Sequence, residues 1–72
     1  MELRTRLKEV RLQKNLTQEA LARTVGVTRQ TIISIEKQKF VPSVKLAMQI
    51  AAVLGTPVAR LFWLETSRGG KS

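Results

Sequence analysis

Gly26 separates two stretches that each open on a threonine: Thr17-Gln18-Glu19-Ala20-Leu21-Ala22-Arg23-Thr24-Val25 and Thr28-Arg29-Gln30-Thr31-Ile32-Ile33-Ser34-Ile35-Glu36-Lys37. A threonine hydroxyl can accept from the free N–H groups of a helix's first turn, and a glycine just past the last turn supplies the positive φ that ends a helix sharply. The spacing therefore predicts one helix from Thr17 through Val25, a tight turn at Gly26, and another helix opening at Thr28. Two short helices about such a turn leave the second free to protrude, and a protruding helix can enter the major groove of double-stranded DNA.

The rest of the chain supplies a frame for this pair. Leu3, Leu7, Val10 and Lys14 recur at helical spacing, predicting a first helix over about 5–14. Asn15 suits a left-handed C-terminal conformation, and Leu16 then turns inward. Pro42-Ser43 opens a fourth helix over 44–54, with Leu46, Ala47, Ile50, Ala51 and Leu54 as its buried stripe and Gly55 as its stop. Thr56-Pro57 reads as a cap followed by proline at the first helical position, starting a short fifth helix to about Leu61. The fold class expected is all-α, a five-helix domain over 1–66. Leu61-Phe62-Trp63-Leu64-Glu65 ends the helix or pairs as a short strand with Glu2-Leu3-Arg4. Residues 67–72, small, polar and basic, read as a disordered tail.

Composition bounds the function. The chain's 72 residues make one domain near the lower size limit for a self-sufficient core, so a partner subunit would help. Thirteen Lys and Arg against five acidic residues, all Glu, give a net charge of +8, which suits a polyanion. The absence of cysteine removes disulfides and thiolate metal sites and fits a reducing compartment. No signal-peptide-like run and no bilayer-length apolar stretch is present, so a cytoplasmic protein is expected.

A helix turns about 100° per residue, so the faces of the third helix can be placed by counting. Ile32, Ile35 and Glu36 fall on one side, with Thr28 at its edge; Gln30, Ile33, Ser34 and Lys37 fall on the other, with Arg29 in the exposed first turn. Gln pairs bidentately with adenine, Arg with guanine, Ser donates or accepts, and a thymine methyl is a natural cover for Ile33. Gln18, Thr28 and Thr31 sit at helix N-termini, where side-chain donors and free N–H groups attract phosphate. Lys37 and Lys39, with Arg23, add charge to the same surface. Arg11 and Glu36 both point coreward, where lone charges are costly, and a pair between them would hold the third helix against the first.

The motif Leu16-Thr17-Gln18-Glu19-Ala20-Leu21-Ala22, followed by Val25-Gly26-Val27-Thr28-Arg29-Gln30-Thr31-Ile32 and Ile35-Glu36-Lys37, resembles the Cro and phage-repressor type of helix-turn-helix family, also called the XRE family. Pro42-Ser43, Leu46, Ala47, Ile50, Ala51 and Leu54-Gly55-Thr56-Pro57 extend the resemblance over most of the chain. It implies a dimeric transcriptional regulator on a pseudo-palindromic operator, with Gln18 on a phosphate and Arg29, Gln30 and Ser34 facing bases. It also implies an Arg11–Glu36 pair. By likeness to short stand-alone members, it implies a homodimer interface of Val58, Leu61, Phe62, Trp63 and Leu64. Gln38 stands where members often carry Gly or Asn, implying a different ending of the third helix, and Ile33 stands where a polar residue is common.

Other function classes fit less well. With no His, Cys, Asp or Tyr, the chain offers no nucleophile–base pair, no metal cluster and no cofactor loop, so neither catalysis nor a cofactor is expected. Phe40, Phe62 and Trp63 form no stacking array for RNA, and several helices with their own buried stripes do not make a membrane-surface peptide. The rival reading is an antitoxin, in which the same fold binds its operator and also a toxin protein.

Overall fold

The computed structural model describes residues 1–66, and the expected tail at 67–72 lies outside them. The elements in chain order are β1 (Glu2–Thr5), α1 (Leu7–Gln13), α2 (Gln18–Val25), α3 (Arg29–Glu36), α4 (Val44–Leu54), α5 (Val58–Leu61) and β2 (Phe62–Glu65). Five helices with a short strand pair match the expected fold class.

Local chemistry sets most boundaries. Thr17 Oγ1 accepts from Ala20 N at 3.0 Å, Thr28 Oγ1 from Thr31 N at 3.2 Å, and Ser43 Oγ from Leu46 N at 3.1 Å. Each hydroxyl satisfies one of the orphan donors at its helix start. Gly26 ends α2 at φ 79°, with nothing within 4 Å of where a Cβ would stand. An alanine there would therefore cost only the left-handed backbone penalty, roughly 1–2 kcal/mol.

Two starts differ from expectation. The first helix begins at Leu7, because Thr5 belongs to β1, where its hydroxyl donates to Leu61 O (2.9 Å) and accepts from Leu7 N (3.0 Å). The fifth begins at Val58: Pro57 is its cap, with extended ψ of 143°, and the Thr56 hydroxyl turns back to donate to Leu54 O at 3.1 Å. That carbonyl belongs to the last turn of α4 and lacks an intrahelical donor, which makes it a better partner than the start of a four-residue helix.

Leu7, Leu21, Ile32, Ile35, Ile50, Leu54 and Leu61 are almost wholly removed from solvent, and all five helices contribute to this core. Each such side chain is worth roughly 1.5–3 kcal/mol of burial. Ala22, at 2 % exposure, keeps the surface between α2 and its neighbours thin enough for close approach.

The strands pair antiparallel, with Leu3 opposite Leu64, Arg4 opposite Trp63 and Thr5 opposite Phe62. Glu2 and Glu65 also face each other, a like-charge pair that would repel. Arg4 resolves it, with Nε at 3.0 Å from Glu65 and a second nitrogen at 3.8 Å from Glu2. Arg6 lies over the Trp63 ring, 5.0 Å from its centroid.

Candidate nucleic-acid interface

The candidate surface is built on α3, whose two sides are separated by burial. Ile32 and Ile35 are 0 % and 1 % exposed, while Arg29, Gln30 and Lys37 stand in solvent. Thr31, Ile33 and Ser34 are half-buried between the two sides. The partial cover of Ile33 lowers the cost of an aliphatic group on this surface and leaves part of it free for contact.

Thr28 is exposed, with its hydroxyl taken up by the cap and a 3.0 Å bond to the Thr31 hydroxyl. Thr28 thus takes up the N–H groups of Thr31 and Ile32, and those of Arg29 and Gln30 have no acceptor among the described residues. Arg23, grouped with the basic set by sequence, is held instead by Glu19 one helical turn earlier, at 3.2 Å. Lys37 and Lys39 are exposed and without an ionic partner among the described residues.

Under this surface lies the expected pair of Arg11 and Glu36. Arg11 Nε donates to Glu36 Oε2 at 2.6 Å and a terminal nitrogen donates to Oε1 at 3.4 Å, with both side chains more than nine-tenths buried. The other terminal nitrogen donates to Leu16 O at 2.7 Å. Gln18 completes the cluster, its Nε2 donating to Glu36 Oε1 at 3.0 Å. One carboxylate therefore ties α1 and α2 to the end of α3, and no buried side-chain polar atom among the described residues lacks a partner. Gln18, expected on a phosphate, keeps one amide hydrogen and its carbonyl oxygen for other partners.

Gln38 is a residue whose role sequence reasoning missed. It takes φ 62°, so α3 ends on a left-handed residue as it would with Gly or Asn, and not in a different way. Lys39 N donates to Ser34 O and Gln38 N to Ile35 O, both at 2.9 Å, while Gln38 Oε1 accepts from Thr5 N at 3.2 Å. The contact to β1 helps hold a conformation that costs a non-glycine residue roughly 1–2 kcal/mol. No local signal announced it, because Thr5 lies far away in sequence.

The expected interface residues divide. Leu61 and Phe62, at 0 % and 8 % exposure, are part of the chain's own core, so Leu61 has no surface for a partner and Phe62 only the edge that lines a shallow groove, because α5 and β2 pack tightly on the bundle. Val58 and Trp63 are half-buried and Leu64 is 64 % exposed. The larger apolar surface lies elsewhere, on Phe40, Val41, Val44 and Met48. Val44 and Met48 recur at i, i+4 along the edge of the buried stripe of α4, next to Ala51, a pattern legible in the sequence once that stripe is assigned.

Among the described residues there is no group of acidic, His or Cys side chains that could hold a metal, and no helix is long and apolar enough to cross a membrane. Residues 7–61 match a family model described as helix-turn-helix. The chain is 50% identical over 60 residues to an HTH-type transcriptional regulator of Archaeoglobus fulgidus, covering 83% of this chain and 84% of the relative. It is 28% identical over 57 residues to the cryptic phage CTXphi transcriptional repressor RstR of Vibrio cholerae, covering 79% of this chain and 51% of the repressor. The restriction-modification controller protein C.AhdI from Aeromonas hydrophila superposes with a TM-score of 0.74 at 32% identity, covering 79% of this chain and 83% of that one. With α2 and α3 joined at Gly26, a free outer side on α3 and these likenesses, the chain belongs to the Cro and phage-repressor (XRE) type of helix-turn-helix transcriptional regulators.

Proposed function

We propose that the protein is a repressor that binds a pseudo-palindromic operator as a homodimer, with α3 in the major groove. The observation that carries this reading is the exposure of Arg29 and Gln30 on a helix whose opposite side is anchored by Ile32, Ile35 and the Arg11–Glu36 pair. Arg29, Gln30 and Ser34 would read base edges, with Ile33 against a thymine methyl. Gln18, Thr28, Thr31, Lys37 and Lys39 would hold phosphates and set the register. Occupancy of the operator excludes other proteins from the same DNA, and the likeness to a phage repressor favours that sign of regulation.

The homodimer is assigned to the apolar surface of Phe40, Val41, Val44 and Met48, with Leu64 beside it. A groove lined by Leu3, Phe40, Val41 and Phe62 joins this surface to the strand pair, and Leu64 pairs with Leu3. Phe40 follows α3 by a few residues, so a dyad here would keep two recognition helices close together on one face of the duplex. A toxin protein would need the same surface, and the second copy is favoured because it explains operator symmetry as well as burial.

Selection of bound duplexes from a random library tests the whole reading. The expected product is an inverted repeat with half-sites about one helical turn, roughly 34 Å, apart. Recovery of single asymmetric sites would overturn the dimer, and no enrichment in dilute buffer would overturn DNA recognition itself.

A further inference from the structure

The cations among the described residues divide into groups, with Lys8 and Lys45 exposed, without an ionic partner and outside all of them. Arg4, Arg11 and Arg23 are ion-paired. Arg29, Lys37 and Lys39 belong to the proposed DNA surface. Arg6, Lys14 and Arg60, also without ionic partners among the described residues, converge on a groove of about 670 Å³ between α1, α5 and β2. The groove takes no residue from α2, α3 or the loop after α3. Its remaining features are the Trp63 ring with the Arg6 guanidinium over it, the Gln13 amide, and one acid, Glu9.

We propose that this groove is a binding site for a purine nucleoside polyphosphate, separate from the DNA surface. Its volume is comparable to that of such a ligand, and the groove is open on the solvent side, where Arg6, Lys14 and Arg60 are exposed. Lys14 and Arg60 supply point-like and forked donors for a polyphosphate tail. A guanidinium already held 5.0 Å over an indole offers a cation and an aromatic face to a purine ring. Gln13, exposed on the groove's rim, carries the donor–acceptor pair that matches an adenine edge. Glu9 opposes the anion and limits affinity, so the site has a built-in sign test.

Trp63 is the chain's one tryptophan, so its fluorescence reports on the groove. ATP in metal-free buffer at moderate salt should change that fluorescence saturably, and should bind at least about tenfold more tightly than inorganic triphosphate or adenosine. Lys14→Ala with Arg60→Ala should weaken ATP about tenfold and Glu9→Gln should strengthen it. Lys14 and Arg60 are exposed, so their removal opens no cavity, and an unchanged melting temperature checks the fold. Arg29→Ala with Lys37→Ala should leave ATP binding as it was. Triphosphate binding as tightly as ATP, an unresponsive Trp63, or an ATP affinity that follows the α3 variant would each overturn the proposal. Operator binding by the groove variant, measured alongside, reports separately on the DNA surface and should be retained.

Discussion

Gln18 Nε2 sits 3.0 Å from Glu36 Oε1, so the residue that opens α2 is held by the carboxylate that anchors the end of α3. The relationship links the buried ion pair to the proposed DNA surface. Glu36 shares its two oxygens between Arg11 and Gln18, and both partners are positioned by that one side chain.

Replacing Glu36 with alanine strands the buried Arg11 guanidinium and releases Gln18. Loss of about 3–5 kcal/mol is expected, because an unpaired buried charge is far costlier than an empty site. Chemical denaturation checks the magnitude. The double variant Arg11→Leu with Glu36→Leu should recover much of the loss, since it removes both charges together.

Gln30→Ala should remove discrimination at one operator position, worth about 1–3 kcal/mol against the wrong base, and leave random-sequence affinity nearly unchanged. Competition between single-substituted duplexes measures it. Uniform loss across all sequences would place Gln30 on the backbone instead.

Lys37→Ala and Lys39→Ala should weaken every duplex alike and lower the slope of log K against log salt by about 1 each. Titration at several salt concentrations is sufficient. An unchanged slope would mean that the lysine meets no phosphate.

Met48→Glu places a charge at the centre of the exposed apolar face of α4. The side chain is 58 % exposed, so the monomer should remain folded. Sedimentation should show loss of the dimer, with operator affinity falling by at least about tenfold as the second half-site is lost. Trp63→Ala, by contrast, should leave the dimer intact, because the indole is occupied by Arg6 in its own chain.

Thr28→Ala removes the cap of α3 and should cost about 1 kcal/mol, read as a lower melting temperature. Its effect on operator affinity should exceed its effect on stability, since the first turn of α3 belongs to the proposed DNA surface.

Much of this molecule was legible in the residues alone. The caps Thr17, Thr28 and Ser43, the stops Asn15, Gly26 and Gly55, and the period of Leu46, Ile50 and Leu54 act over a few neighbouring residues. Such short-range chemistry can be read along the chain. The Arg11–Glu36 pair was legible for a different reason: two charges on core-facing sides have few other solutions.

What only the tertiary structure decided involves residues brought together from far apart. Phe62 is drawn into the core by its register opposite Thr5, while Phe40, Val41, Val44 and Met48 are left exposed. Gln38 bends left-handed against Thr5, and Gln18 meets Glu36, because strand pairing and helix packing set those distances. Periodicity names the side of a helix that turns inward. Which outward residues then meet one another depends on how the helices and strands cross, and that is a property of the packed chain as a whole.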